Sequence, residues 1–299
     1  MTSLKKPDWI RARLPSGDAW KAVGGVLEKH RLHTVCDEAH CPNKGECWGR
    51  LTATFMIMGD VCTRGCRFCA VSTGREGRPL RQDEGDAIAL AAEELKLRYI
   101  VLTSVDRDDL RDRGAGHFAA CIRAIKDRLQ AVTVEALTPD YTQGEFAPIA
   151  AAGLDVAAHN VETVRSLQGV RDGRASFDKS LETLRAAKAL GVPRTKSSLI
   201  LGMGETKDEV LSAMDELRSA AVDILVLGQY LQPGSKQIPV AEYITPEQFA
   251  DYARAGRERG FSSVVSAPLA RTSYHALDAW NGASPEKQRR DGTVPSEIV

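Results

Sequence analysis

The stretch DEGDAIALAAEELKLRYIVLTSV, residues 83–105, holds a helix and a strand back to back. Residues 83–97 open with acidic side chains, which suit the positive end of a helix dipole, and run on into Ala and Leu. Residues 99–105, YIVLTSV, are aromatic and β-branched, the composition of a strand. The same pairing repeats outward from there. TATFMIMG (52–59) reads as a strand on the N-terminal side. On the other side, helices are expected at 116–129, 145–153, 176–191, 207–220 and 245–260. Strands at 131–138, 155–162, 195–202 and 224–231 alternate with them. Six strand–helix units predict an α/β fold with parallel pairing and right-handed crossovers. Several strands are apolar on both faces, as strands are when helices cover the sheet. Such a sheet either curls into an open barrel or lies flat and doubly wound. In a barrel, chemistry gathers at the C-terminal strand ends, and the informative residues of this chain fall there.

Residues 1–53 lack this rhythm and read as an N-terminal extension. Residues 54–260 form the barrel, and 261–299 a C-terminal extension whose end, after Trp280, is rich in turn formers and charge and is expected to be mobile. With 299 residues, 43% of them hydrophobic, a large core is available. Lys+Arg and Asp+Glu both number 40, so net charge gives no pull toward nucleic acid or an anionic membrane. No apolar run is long enough to span a bilayer, and the first residues have no apolar stretch behind their lysines. A cytoplasmic protein is the expectation. In that reducing setting, clustered cysteines point to metal or redox chemistry rather than disulfides.

Six of the seven cysteines lie between Cys36 and Cys69. CTRGCRFC places Cys62, Cys66 and Cys69 in C-x3-C-x2-C spacing directly after the first strand. Three thiolates occupy three corners of a four-iron cube and leave the fourth iron open. An open iron can chelate an amino acid, and a reduced cluster can then split a nearby sulfonium. The spacing therefore predicts binding and reductive cleavage of S-adenosylmethionine. Zinc is the competitor, but zinc loops favour paired C-x2-C units. CDEAHCPNKGEC carries Cys36, Cys41 and Cys47 with looser spacing, where zinc competes more strongly because His33 and His40 are near. Phe68 is a candidate cover for the cluster. Cys121, inside an apolar helix, reads as a small buried hydrophobe. His117, His159 and His275 read as structural hydrogen-bonding residues.

CDEAHCPNKGECW followed by ATFMIMGDVCTRGCRFC resembles the paired signature of the lipoyl synthase family. VLTSVDRDDL, EALTPD, HNVETV, TKSSLILGMGET, GQYLQP, YITPEQF and RTSYHA extend the resemblance, in order, over about residues 30–280. It implies a partial (β/α)6 barrel with two four-iron clusters. The activity implied is insertion of two sulfur atoms, at C6 and C8, into a protein-bound octanoyl-lysine. Cys62, Cys66 and Cys69 would hold the S-adenosylmethionine cluster; Cys36, Cys41 and Cys47 would hold an auxiliary cluster that donates the sulfur. The family's Arg-Ser-Ser-Tyr block stands here as Arg271-Thr272-Ser273-Tyr274, so Ser273 takes the place of the fourth auxiliary ligand. A serine oxygen is a poorer iron ligand than thiolate, which suits a cluster that is dismantled.

Thr103, Ser104, Glu135 and Asn160, at the ends of their strands, are the expected contacts for S-adenosylmethionine. Ser198 stands where the family has glycine, and Gln237 and Ala267 also depart from it. Implied partners are octanoylated carrier domains (E2 subunits, glycine-cleavage H protein), reduced ferredoxin or flavodoxin, and an iron–sulfur carrier. Lys287, Arg289 and Arg290 are candidate contacts for an acidic carrier. The rival readings are another radical enzyme whose second cluster relays electrons, and a non-catalytic metal-binding module.

Overall fold

In each barrel strand the side chains alternate between a helix-covered face and an interior face, and this alternation builds the site. The computed structural model describes residues 4–11, 18–38, 41–49 and 54–282 of the chain. Helix α1 (Asp18–Lys29) leads to a short strand β1 (His33–Thr34) and two short helices, α2 (Val35–Glu38) and α3 (Lys44–Gly49). Strand β2 (Thr54–Ile57) is followed by a parallel clasp of β3 (Val61–Cys62) with β4 (Ser72–Thr73), then by α4 (Glu84–Glu94). Five more units follow: β5 (Tyr99–Ser104) with α5 (Ala115–Arg128), β6 (Thr133–Leu137) with α6 (Gln143–Ala151), β7 (Val156–Ala158) with α7 (Phe177–Ala189), β8 (Arg194–Leu201) with α8 (Lys207–Ser219), and β9 (Ile224–Gln229) with α9 (Pro246–Glu258). Strand β10 (Ser263–Ser266) and helix α10 (Ala276–Trp280) complete the described chain.

The sheet runs β1-β2-β5-β6-β7-β8-β9-β10. From β2 to β10 every pairing is parallel, and β1 lies antiparallel on the outer edge of β2. All six predicted strand–helix units are present, so the architecture is the expected open barrel. The sheet continues past residue 260 by one strand, β10, and gains β1 at its other edge. Both lie where the sequence shows no alternation. Another departure is α1, which lies within the segment read as lacking rhythm. Its Val23, Val26 and Leu27 pack with Trp48 into the main core, so packing rather than a strong local pattern holds it.

Sequence-encoded caps fix where several helices begin. Thr142 with Glu145, Thr206 with Glu209 and Thr245 with Gln248 form reciprocal capping boxes, each worth about 1 kcal/mol. Outward strand residues such as Phe55, Ile100, Leu102 and Val134 pack under Ile88, Phe118, Ile122 and Phe146 of the helices. Leu199, Leu201, Leu225 and Leu227 do the same against Leu181, Val210, Met214 and Phe249. Among the described residues no helix is long and apolar enough to cross a membrane.

Candidate active site: two cysteine trios around one cavity

The turn leaving β2 carries the first trio. Met58 (φ 68°) and Gly59 (φ 85°) both adopt left-handed conformations there. Methionine seldom does so, and this one is held from both sides. Buried Glu84 accepts the Met58 N–H at 3.1 Å, and buried Arg107 donates to the Met58 carbonyl at 3.2 Å. His117 binds Glu84 at 2.7 Å, and Asp109 binds Arg107 at 2.8 Å. Beyond the turn the cysteine loop is tied down. The N–H of Thr63 donates to the Asp106 carbonyl at 2.9 Å and that of Arg67 to the Val170 carbonyl at 2.8 Å. Arg64, only 6% exposed, joins the loop to Asp106, Asp108 and Asp140. The charged run 106–109 is therefore the scaffold of this loop. Gln237, a departure from the family pattern, donates to the Cys69 carbonyl at 3.0 Å. Backbone N–H groups of Arg64 and Asp106 each point at the Cys62 sulfur at 3.4 Å, and that of Asp172 at the Cys66 sulfur at 3.3 Å. Such donors stabilise a sulfur that carries negative charge.

The second trio comes from α2, α3 and the turn between them. Cys41 N–H donates to the Cys36 carbonyl at 3.1 Å, and Cys47 N–H to the Asn43 carbonyl at 2.9 Å. Asn43 then reaches across to the Leu269 carbonyl at 2.6 Å, joining this segment to the arm that follows β10. The arm lies on β9: Gln229 N–H donates to the Pro268 carbonyl and Ala267 N–H to the Leu227 carbonyl, both at 3.1 Å. Gly228 makes that approach possible, because a methyl group there would overlap the Ala270 carbonyl. Tyr274 closes the join by donating to Glu46 at 3.2 Å.

All six cysteines and Ser273 line one cavity of about 530 Å³, together with Thr103, Ser104 and Asn160. A side chamber of about 140 Å³ shares Cys66, Thr103, Ser104 and Asn160 and adds Asp140, His159 and Arg171. Two buried hydroxyls of this chamber, Ser104 Oγ and Thr138 Oγ1, have no hydrogen-bond partner, as expected of groups that meet a ligand. Burial pushes the Cys62 thiol up to about 11 and Cys66 up to about 12. The same cause lifts Cys36 to about 11 and raises Cys41 and Cys69. Such thiols keep their protons at neutral pH until a cation displaces them.

The spread of each trio suits the corners of a cube better than one tetrahedral zinc. A tetrahedral zinc brings its ligand atoms within about 4 Å of one another. Among the described residues, the set of three such donors within 4.8 Å of one another is Glu84, His117 and Cys121, and neither cysteine trio meets that span. Thiolates on separate corners of a cube stand farther apart. No disulfide joins any of the cysteines.

Glu135 is a correction to the sequence reading. It is not at the strand end but in mid-strand β6, fully buried, bound to Lys196 at 2.9 Å and accepting from Tyr99 at 2.5 Å. By strand alternation this trio lies one layer below Val101, Leu137 and Ser198, which line the cavity. Glu162, which the sequence reading passed over, lines the cavity, as Asp106 does. Burial raises the Glu162 pKa, against the pull of Arg171 and a hydrogen bond from Asn160. Its signal lay in the block HNVETV, but nothing in the sequence says which polar residue of that block faces inward.

The remaining expectations fall as follows. Phe68 lines both chambers. Cys121 is buried among core residues. His159 bonds the Thr138 carbonyl at 2.8 Å and Ser180 at 2.9 Å, and His275 bonds Asp278 at 2.8 Å. His33 lies near Glu38, at 3.6 Å. His40, Lys287, Arg289, Arg290 and the tail from 283 on lie outside the described residues.

Comparison with known proteins follows the same lines. Residues 56–217 match the Radical SAM superfamily. The chain is 52% identical over 276 residues to the lipoyl synthase of Marinobacter nauticus, covering 91% of this chain and 79% of that one. Identity is also 52% to the lipoyl synthase of Thermus thermophilus, covering 91% and 85%. The mitochondrial lipoyl synthase of Picea sitchensis is 47% identical, over 98% and 78%. Among solved structures, methylornithine synthase superposes with TM-score 0.58 at 12% identity, over 95% of this chain and 91% of that one. The FeFe-hydrogenase maturase of Carboxydothermus hydrogenoformans gives 0.58 at 14% identity, over 77% and 56%. At such identities these two structures speak for the fold alone.

Proposed function

The chain belongs to the lipoyl synthase family of the radical S-adenosylmethionine superfamily, and from that premise we propose how its residues divide the work. It is a sulfurtransferase that inserts two sulfur atoms at C6 and C8 of a protein-bound octanoyl-lysine, using S-adenosylmethionine and iron–sulfur chemistry. In our reading there are two four-iron clusters, one on Cys62, Cys66 and Cys69, the other on Cys36, Cys41, Cys47 and Ser273. When bound, the first supplies the electron that splits S-adenosylmethionine, and the second supplies the sulfur.

The observation that carries this assignment is that both trios and Ser273 face one cavity. An electron-relay cluster needs only proximity, whereas a sulfur donor must share a chamber with the substrate carbon. Within that chamber Thr103, Ser104 and Asn160 would bind the polar groups of S-adenosylmethionine, and Glu162 would accept from its ribose or ammonium. Phe68, Leu137 and Ile200 supply apolar wall, which suits an octanoyl chain and excludes water from a reactive carbon. The substrate is presented by an octanoylated carrier domain such as an E2 subunit or a glycine-cleavage H protein. Reduced ferredoxin or flavodoxin would supply electrons, and an iron–sulfur carrier would rebuild the spent cluster. Free thiols that must stay reduced suit the cytoplasm.

Mass spectrometry of an octanoyl-lysine peptide after anaerobic reaction with the reconstituted protein tests the function. The expected product has gained two sulfur atoms and lost two hydrogens. Release of 5′-deoxyadenosine with no sulfur in the peptide would point instead to a relay cluster.

A further inference from the structure

Ser198 and Thr272 both depart from the family pattern, and they touch. Their hydroxyl oxygens lie 3.2 Å apart, although 74 residues separate them in sequence. Thr272 also donates to Asn160 Oδ1 at 3.2 Å. A threonine hydroxyl has one proton, and Thr272 spends it on Asn160; Ser198 is therefore the donor to Thr272. Asn160 also lowers the pKa of the Glu162 carboxyl two residues on, against the effect of burial. Ser198, Thr272 and Asn160 form a directed chain in which Ser198 donates to Thr272 and Thr272 to Asn160. The hydrogen bonds of such a chain polarise one another.

The backbone reinforces this arrangement. Glu162 is left-handed (φ 66°), an uncommon state for glutamate. Its N–H donates to the Ser198 carbonyl at 3.2 Å and its carbonyl accepts from Ile200 at 2.7 Å. The segment that carries Asn160 and Glu162 is thus fixed to β8 beside Ser198. All four residues line the cavity, and Thr272 immediately precedes Ser273.

We propose that Thr272 is a positioning residue that couples the seating of S-adenosylmethionine at Asn160 and Glu162 to the placement of Ser273. The proposal rests on the reading that those residues face S-adenosylmethionine and that Ser273 completes the auxiliary site. A ribose hydroxyl or ammonium group that binds Asn160 changes the acceptor at the end of the chain. That change passes through Asn160 to Thr272 and tightens the arm carrying Ser273. The sulfur-donating side is thereby set when the radical source is in place.

The test uses the anaerobically reconstituted full chain with its clusters oxidised, so that no turnover occurs. Hydrogen–deuterium exchange of residues 269–274 is followed with and without S-adenosylmethionine. In the unaltered chain and in Thr272→Ser, ligand is expected to slow exchange on the order of fivefold, the worth of about one net hydrogen bond. Thr272→Val, which keeps the shape and loses the hydroxyl, is expected to show no slowing. Under turnover, Thr272→Val should raise the ratio of 5′-deoxyadenosine to lipoyl product, and Thr272→Ser should not. Equal slowing in Thr272→Val and the unaltered chain, or no slowing in either, overturns the proposal. Should Thr272→Val fail to fold, Ser198→Ala decides: reduced slowing supports the relay and full slowing overturns it. Ligand-dependent slowing without any sulfur transfer by the unaltered chain would keep the coupling and sink the functional reading, so the two failures are distinguishable.

Discussion

A methyl group at position 228 would occupy the space of the Ala270 carbonyl. Everything that follows Ala270 on the arm, including Ser273, depends on that approach. Gly228→Ala is therefore expected to displace the arm while leaving the Cys62–Cys69 loop in place. After anaerobic reconstitution, iron analysis should fall from about eight to about four irons per chain. A full complement in the variant would show that the arm does not depend on Gly228. At the same scale, His159 sets an acid limit. Its pKa is held down to about 4 by burial first and by Arg171 second. A histidine kept neutral in the fold but free to protonate once unfolded stabilises the protein fully above its ordinary value near 6.5, and that contribution is lost as pH falls through about 4. Denaturant unfolding of the apo chain should show stability dropping between pH 6.5 and 4, with a shallower drop in His159→Gln. Parallel curves would refute the assignment.

The turn between β2 and the cysteine loop works as an element, since neither of its clamps acts alone. Glu84 holds the Met58 amide and Arg107 holds its carbonyl. Arg107→Met leaves the Met58 and Arg78 carbonyls without their donor and frees the turn. The expected cost is about 3 kcal/mol in denaturant unfolding, with weaker loading of the cluster on Cys62, Cys66 and Cys69. An unchanged midpoint with normal iron content would remove the clamp from the account. Sequence and structure meet unevenly at this scale. The strand at 99–105 is found at Tyr99–Ser104 and the helix at 207–220 at Lys207–Ser219, because alternation and caps are local signals. Helix α1 escaped notice because Gly24 and Gly25 interrupt its pattern, and tertiary packing on Trp48 sustains it. Strand β10 is only four residues, with serine at either end. Both cysteine trios were legible because ligand spacing is itself local. Glu135 and Glu162 were not distinguishable, because which carboxylate faces the mouth depends on the register of strands that are apolar on both faces.

At the scale of the whole molecule, the auxiliary cysteine segment and the arm after β10 are brought to one rim. The N-terminal cysteines and the arm after β10 meet through Asn43 with Leu269 and Glu46 with Tyr274. The barrel supplies the other trio from its first loop. The chamber is thus closed by segments about 230 residues apart, an arrangement no local pattern announces. Asn43→Ala should loosen that join, lowering auxiliary-cluster content while S-adenosylmethionine cleavage continues. Iron analysis alongside 5′-deoxyadenosine yield would check it, and loss of both activities together would count against separate roles for the trios. The central claim is that the cluster on Cys36, Cys41, Cys47 and Ser273 is the source of the inserted sulfur. It is tested most directly by reconstituting the chain with heavy-isotope sulfide and running a single turnover on octanoyl-lysine peptide in ordinary sulfide. The account predicts a lipoyl product carrying two heavy sulfur atoms, with two 5′-deoxyadenosines released and the auxiliary cluster lost. Product carrying light sulfur with both clusters intact would contradict it.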